Sequence, residues 1–320
     1  MPESNVEPQL TVIMAVHNGS PFLRTAVDSI LNQTYSNFNF LIIDDASTDD
    51  TREIVRSYND DRIALECLEK NVGQTAALNI GLNLATTPWI ARLDADDYSA
   101  PTRFEEQMRA LKADPTISCI GTHVWMFHDD PEVVDSVFTT PEHHAEIKRG
   151  ILRGSSMVHG SIVADRAAML DIGGFDERYR LVADLELYDR LVLKYKTANI
   201  PMQLVGIRQH PNQTSGTRLA FDEVIDICSR RLESDNYTRE ETSIIRSTLS
   251  RAYLYRSRFV ETWNGIGERF KYLGRAMRIS PNTFVWNSCL VFIFNRMSNS
   301  HRATLRRLLS GFRPRFLTGR

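Results

Sequence analysis

Residues 88–97 read Pro88-Trp89-Ile90-Ala91-Arg92-Leu93-Asp94-Ala95-Asp96-Asp97. The first six have the character of a buried strand, and the acidic cluster follows it without a break. Side chains alternate along a strand, so Asp94 and Asp96 share a side if the extended geometry continues through them. Two neighbouring carboxylates repel each other and are costly to desolvate. A hard cation removes that penalty, because magnesium and manganese prefer oxygen ligands and bridge carboxylates to phosphates. The reading is therefore a metal–diphosphate site at a strand end. An Asp-x-Asp also occurs in plain surface turns, where the carboxylates accept backbone hydrogen bonds. The surrounding pattern decides between the two.

Upstream, strand-like and helix-like segments alternate. Leu10 to Val16 is apolar and β-rich, and Phe22, Leu23, Ala26, Val27, Ile30 and Leu31 recur at helical spacing. Phe38 to Ile43 predicts a second strand, ending in Asp44-Asp45-Ala46-Ser47-Thr48-Asp49. Those small polar residues favour helix N-caps, and a helix over 50–58 follows. Arg62–Cys67 predicts a strand, Gln74–Ala85 a helix, and Trp89–Leu93 a fourth strand. Such alternation implies an α/β fold with an open, largely parallel sheet flanked by helices. Ligands of such sheets bind outside the carboxyl ends of the strands. Val16-His17-Asn18, Asp44-Asp45 and Asp94–Asp97 all fall at such ends.

After Pro101 the pattern changes. A helix to about Ala113, short strands around Ile117–Phe127 and Val133–Phe138, and a helix near Glu142–Leu152 are expected. Ser156–Asp165 reads as extended, Ala183–Lys194 as a helix and Ile200–Ile207 as a strand. From about Ala220 onward the chain reads as mostly helical. At 320 residues and 42% hydrophobic content, one large domain with a C-terminal appendage fits better than two equal ones. Four cysteines form no Cys-x-x-Cys pair, so reduced, buried thiols are expected rather than zinc. No leader of the secretory type and no apolar stretch long enough to span a bilayer is visible, which predicts a cytoplasmic protein.

Familiar nucleotide loops are missing: no Gly-x-x-x-x-Gly-Lys, and no Gly-x-Gly-x-x-Gly after the first strand. A nucleotide would have to be held by a metal and by carboxylates. Here a resemblance becomes specific. Thr11–Asn18, Ser29-Ile30-Leu31-Asn32-Gln33-Thr34-Tyr35 and Ile42–Asp49 resemble the start of the family 2 inverting glycosyltransferases. Asn71-Val72-Gly73, Asn79, Asp94–Asp97, Gly173-Gly174-Phe175-Asp176-Glu177 and Asp184 continue the match in order. The resemblance covers roughly residues 8–215. It implies the GT-A fold, a nucleotide-sugar donor, Mn2+ or Mg2+, and inversion at the anomeric carbon. It also implies a catalytic domain over 1–218, with a nucleotide half at about 8–100 and an acceptor half at about 101–218. A helical region over 219–320 would follow.

By the same resemblance, Asp45 stands where the family accepts a hydrogen bond from uracil, and Ala15 and His17 where the first strand meets the base. Asp94 matches the position near the ribose, Asp96 the metal ligand, and Asp184 the catalytic base. Inverting transfer is a single displacement, so one base is needed and no enzyme nucleophile. Many relatives carry Glu-Asp where this chain has Ala183-Asp184, which leaves the orientation of the base open. Glu186, two residues further along a helix, would point elsewhere. Asp44 is expected to cap the following helix. His159 is either on the acceptor side or a satisfied core histidine. His210 is a third metal ligand, a diphosphate contact, or a plain loop histidine. Arg92 and Lys70 read as surface charges, and Trp89 and Trp125 as core.

The charge is asymmetric. From Arg269 to Arg320 there are 11 Lys or Arg and no Asp or Glu. Leu305, Leu308, Leu309 and Phe312 at helical spacing, flanked by Arg302, Arg306, Arg307 and Arg313, form a basic amphipathic pattern. Peripheral contact of residues 296–320 with an anionic membrane is expected, with a glycan or lipid-linked glycan as acceptor and no nucleic acid as partner. Two alternatives were weighed. A sugar nucleotidyltransferase should carry a Gly-rich basic loop after the first strand, and Asn18-Gly19-Ser20-Pro21 does not. A degenerate, membrane-docked scaffold is opposed by Asp45, Asp94, Asp96 and Asp184.

Overall fold

The computed structural model describes residues 9–154, 156–211, 217–257 and 266–280. Strand β1 (Leu10–Val16) is buried along its entire length, as a continuous apolar run requires when both faces of a sheet are covered. It pairs in parallel with β2 (Phe38–Asp44) on one side and β4 (Trp89–Arg92) on the other, and β2 pairs in parallel with β3 (Ile63–Cys67). The crossovers are α1 (Leu23–Leu31), α2 (Thr51–Arg56) and α3 (Gln74–Leu84). The chain runs outward from β1 to β3 and then returns to the far side of β1. The gap between the carboxyl ends of β1 and β4 is therefore the switch point of the sheet, where open α/β folds bind ligands.

The second half extends the same sheet. Its elements are β5 (Tyr98–Ser99), α4 (Arg103–Ala113), β6 (Ile117–Phe127), β7 (Ser136–Phe138), α5 (His144–Ile151), β8 (Val163–Asp165), α6 (Arg166–Asp171), α7 (Ala183–Lys194) and β9 (Lys196–Arg208). The order is β3-β2-β1-β4-β8-β6-β9-β5, with β7 hydrogen-bonded to β6. Short β8 is antiparallel to both β4 and β6, and it joins the parallel half to the long parallel β6–β9 ladder. The result is a mixed α/β sheet whose long ladders are parallel.

Several boundaries depart from the sequence reading. Residues 117–127 form one strand, and β9 starts at Lys196, four residues before the expected Ile200. Only Val163–Asp165 of the expected extended segment is a strand; Ser161 N–H bonds to Val158 carbonyl, winding His159–Ser161 into a 3-10 turn. The strand expected from Val133 starts at Ser136, because Val133 N–H closes a turn on Asp130. Helix α6 was not anticipated, although its Asp165 cap accepts from the Ala167 and Ala168 amides.

Helix α4 is anchored by polar groups. Arg103, fully buried, donates to the Arg92 and Ile162 carbonyls and to Gln107 Oε1. Gln107, also fully buried, donates to the Ile120 and Ser161 carbonyls. These two side chains brace the end of β4 against the 3-10 turn, and both segments carry site residues.

The chain divides into two compact units, residues 1–223 and 224–320. Helix α8 (Arg218–Glu233) crosses that division. In the second unit α9 (Arg239–Arg256) starts with a Thr238/Glu241 capping box. It packs on α10 (Ile266–Ile279), and Ser250 Oγ donates to the Ala276 carbonyl. No helix among the described residues is long and apolar enough to cross a membrane. The basic amphipathic segment lies outside the described residues, as does Cys289. Of the other cysteines, Cys119 and Cys228 are buried and Cys67 is half-buried; none is disulfide-bonded.

Candidate active site

A cavity of about 780 Å³ opens at the switch point, within the range typical of small-molecule sites. Its wall includes Ala15, His17, Asp45, Asp94, Asp96, His159, Asp184 and His210. Every residue named from the sequence as a site candidate is thus on one cavity, although they span nearly 200 positions.

The loops after β1 and β2 are stitched together. Asn18 and Ala46 both adopt left-handed backbone, at φ 54° and 57°. Asn18 N–H donates to Ser47 Oγ, Gly19 N–H to Thr51 Oγ1, and Ser20 N–H to Asp49 Oδ2. Three consecutive amides that could have cradled a phosphate are therefore already engaged. Desolvation opposes ionisation of Asp49, but hydrogen bonds from Thr51 and Ser20 outweigh it and bring its carboxyl down to about 2. Asp45, only 3% exposed, accepts from the Val72 and Gly73 amides at 2.7 and 2.9 Å. Its carbonyl bonds to His17 Nδ1 and Asn71 Nδ2. Gly73, at φ 89°, lets the chain turn onto that carboxylate. Asp44 does not cap α2 as expected. It is fully buried and ion-paired with Arg52 at 2.5 Å, because β2 carries it into the sheet.

At the end of β4, Asp94 Oδ1 accepts from Gln74 Nε2 and Arg92 Nη2, both at 2.8 Å. Arg92 is no surface charge: its side chain is 3% exposed, and Nε and Nη1 have no hydrogen-bond partner. A guanidinium in that state is a strong local field, and it opposes the upward pKa shift that burial imposes on Asp97 and Asp184. Asp96 Oδ2 lies 2.9 Å from His210 Nε2, and the imidazole stacks near Phe22 with ring centroids 5.0 Å apart. Arg208, two residues before His210, donates to the Asp96 carbonyl, and its amide donates to Asp97 Oδ1. Asp97 is buried, and desolvation, reinforced by Asp94 and Asp96, holds its carboxyl well above the usual range. A Cβ on Gly160 would come within 3.3 Å of Asp97 and 3.7 Å of Asp94. A side chain there would make the Asp97 carboxylate give way by a few tenths of an ångström, so glycine suits this close approach of the 3-10 turn to the acidic loop.

The far wall comes from α7. Asp184, in its first turn, accepts from the Leu185 amide at 2.8 Å. Desolvation raises its carboxyl; the Leu185 amide and Arg92 oppose the shift, and Asp94 adds to it. One helical turn on, Tyr188 bonds to His159 Nδ1 at 3.1 Å. Burial, assisted by Arg92, holds His159 well below its ordinary value, so the ring stays neutral. His159 is thus both a cavity wall and a hydrogen-bonded interior histidine. Glu186 is buried and paired with Arg190, away from the cavity, as its helical position implies.

Gln74, Arg92, Gly160, Tyr188 and Arg208 were not singled out as site residues. Arg92 had a legible signal, since it sits between Ala91 and Leu93 in a run read as buried. The others depend on contacts 20 to 112 residues distant, which local patterns do not carry. Lys70 is exposed and lies off this cavity. Trp89 and Trp125 pack in the interior and do not line it, and Trp125 Nε1 donates to the Pro131 carbonyl.

Comparison with known proteins gives the same picture. The family described as "Glycosyl transferase family 2" matches residues 11–164. The Bacillus subtilis (strain 168) protein named "Putative glycosyltransferase EpsE" is 32% identical over 216 residues, covering 64% of this chain and 74% of that protein. An Escherichia coli relative, UDP-Glc:alpha-D-GlcNAc-diphosphoundecaprenol beta-1,3-glucosyltransferase WfaP, is 30% identical over 166 residues, 51% of this chain and 63% of that protein. Among solved structures, S. aureus TarS 1–349 in complex with UDP-GlcNAc superposes with a TM-score of 0.65 at 16% identity, over 85% of this chain and 81% of that one. That last likeness is one of fold. Taken with the sheet order, the acidic strand end and the sequence identity to EpsE, it establishes that this chain is a glycosyltransferase and belongs to glycosyl transferase family 2.

Proposed function

We propose that the protein is a metal-dependent inverting transferase that moves a sugar from a UDP-sugar to a hydroxyl group of a glycan or lipid-linked glycan. One observation carries the reading: Asp94, Asp96 and Asp184, from the ends of two elements 90 residues apart, share the wall of one cavity at the switch point. WfaP, by its printed name, uses UDP-Glc and a diphosphoundecaprenol-linked acceptor. The TarS structure holds UDP-GlcNAc. Both support a UDP-linked donor here, and WfaP supports an acceptor of the kind used in polysaccharide assembly.

Asp45, His17 and Ala15 would receive the uracil and Asp94 the ribose. Asp96 and His210, 2.9 Å apart, would hold Mn2+ or Mg2+. An imidazole and a carboxylate converging on one point suit such a cation. Among the described residues no set of three or more His, Cys, Asp or Glu could enclose a metal, so diphosphate oxygens would complete the coordination. When bound, the metal would stabilise negative charge on the leaving diphosphate. The amides of residues 18–20 are engaged by side chains, which leaves that task to the metal site.

Asp184 would take the proton from the acceptor hydroxyl as its oxygen attacks the anomeric carbon. The bond from that carbon to the diphosphate oxygen breaks in the same step, and the electron pair leaves with the nucleotide. Arg92, beside Asp94, opposes the upward shift that burial imposes on the Asp184 carboxyl. For residues 296–320, contact with anionic lipid is proposed from the charge pattern alone.

Thermal shifts with UDP, GDP, CDP and dTDP, with and without manganese, test the reading. UDP with manganese should raise the melting temperature, equivalent to about 2.7 kcal/mol at a hundred times the dissociation constant. Asp96→Ala should remove the manganese dependence. No response to any of the four would overturn the donor assignment.

A further inference from the structure

Among the described residues no side chain hydrogen-bonds to Asp184, the proposed base. Its carboxylate accepts from main-chain amides, that of Leu185 at 2.8 Å and its own, and Ala183, immediately before it, has no polar group to offer. Its position therefore depends on the backbone that leads into α7. That backbone is held from elsewhere. Glu223, 7% exposed and in α8, accepts three consecutive main-chain amides: Arg180 at 2.9 Å on Oε1, and Leu181 and Val182 at 3.0 Å each on Oε2. Val182 is the residue before the first turn of α7, and Asp184 is two residues beyond it. The same loop is fastened at its other end by Thr75 Oγ1 to the Tyr179 carbonyl and by Asn79 to both main-chain groups of Phe175.

We propose that Glu223 is a positioning residue for catalysis: its carboxylate clamps residues 180–182 and so aims Asp184, a task that no side chain at position 183 can perform. This inference rests on Asp184 being the base. Charge-assisted bonds to three adjacent amides are short and directional, and they fix a backbone more firmly than neutral bonds do. A glutamine cannot reproduce them, since its NH₂ group would face at least one of the amide donors.

The test uses the full chain and whichever of UDP-glucose, UDP-galactose and UDP-N-acetylglucosamine it hydrolyses to UDP with manganese, water serving as acceptor. Glu223→Gln, Asp184→Asn and the double variant are compared, with hydrogen exchange read over residues 176–188. In Glu223→Gln the amides of 180–182 should lose protection and kcat should fall about tenfold or more, while the KM for the donor and manganese–UDP binding stay unchanged. In the Asp184→Asn background the same change should have little further effect, because both act through one group. Should Glu223→Gln fold poorly, Glu223→Asp keeps the charge, shortens the reach and should show the same kcat-only defect. Unchanged kcat in Glu223→Gln, or an equal loss with and without Asp184, overturns the clamp while leaving the base assignment intact. Full turnover by Asp184→Asn overturns the base assignment, and the clamp with it.

Discussion

As the proposed base, Asp184 combines two demands that pull against each other: it would have to be ionised to accept a proton, and it sits where burial favours the neutral acid. Asp184→Asn should lower kcat by about 10²–10⁴-fold, the range usual for loss of a general base, in an assay of nucleotide release. The same shift sets a pH dependence. A base whose pKa is raised needs a higher pH to be ionised, so the acid limb of the kcat profile should lie above the ordinary aspartate range. Stability should move in the opposite sense. A group with a raised folded-state pKa contributes stability that is lost as pH rises through that pKa. The melting temperature of Asp184→Asn, relative to the wild type, should therefore increase across that pH window and level off above it. A variant that is less active and no less stable would mark a site optimised for chemistry rather than for folding.

At the scale of elements, the site is held by polar struts as much as by apolar packing. Helix α4 presents Arg103 and Gln107 to the interior, and together they satisfy carbonyls at the end of β4, in β6 and beside the 3-10 turn. Buried carbonyls that lose their donors keep the full cost of desolvation. Gln107→Leu, nearly the same volume, should lower the unfolding free energy in urea by about 2–6 kcal/mol, since it takes the donor from the Ile120 and Ser161 carbonyls at about 1–3 kcal/mol each. The loop before α7 is shaped by a different device. Gly173 and Gly174 take φ of 87° and 65°, and a Cβ on Gly174 would lie 2.8 Å from Asn79 Oδ1. That close approach lets Asn79 bond both the amide and the carbonyl of Phe175, and it fixes one end of the segment that ends in the base.

For the whole molecule, the arrangement separates folding from cofactor. The core is built on β1, β2 and β4 with Leu10, Val12, Met14, Phe40 and Ile42, all essentially unexposed. Burying each such side chain contributes about 1.5–3 kcal/mol, with no contribution from a metal. The proposed metal ligands, Asp96 and His210, lie on loops beyond the strand ends. Chelation with EDTA should therefore abolish sugar transfer and excess manganese should restore it, while urea unfolding of the nucleotide-free protein stays the same. A large loss of stability on chelation would contradict this separation.

Much of the first hundred residues was legible from the chain. Continuous apolar runs and period-3.6 apolar patterns give the same elements when each strand is buried on both faces and each helix on one, as β1, α1, β2 and α3 are. The acidic strand end was legible for a related reason, since Asp94-Ala95-Asp96-Asp97 makes little physical sense directly after a buried strand unless something cationic or hydrogen-bonding compensates it. The family resemblance added the order in which site residues follow. What the chain did not reveal is long-range. Arg92 looked like a surface charge because its charge was given more weight than its place between Ala91 and Leu93 in a buried run. Asp44 looked like a helix cap because its partner, Arg52, is apparent only once β2 and α2 are packed. Ser156–Asp165 looked extended because the turn at Gly160 is imposed by the acidic loop it must approach. Sequence alone determined the fold class and the acidic end of β4, because these follow from local burial and local charge. Tertiary structure alone decided which carboxylates share the cavity, which amides are already engaged and what braces the backbone leading into α7, because those depend on backbone and side chains brought together from distant parts of the chain.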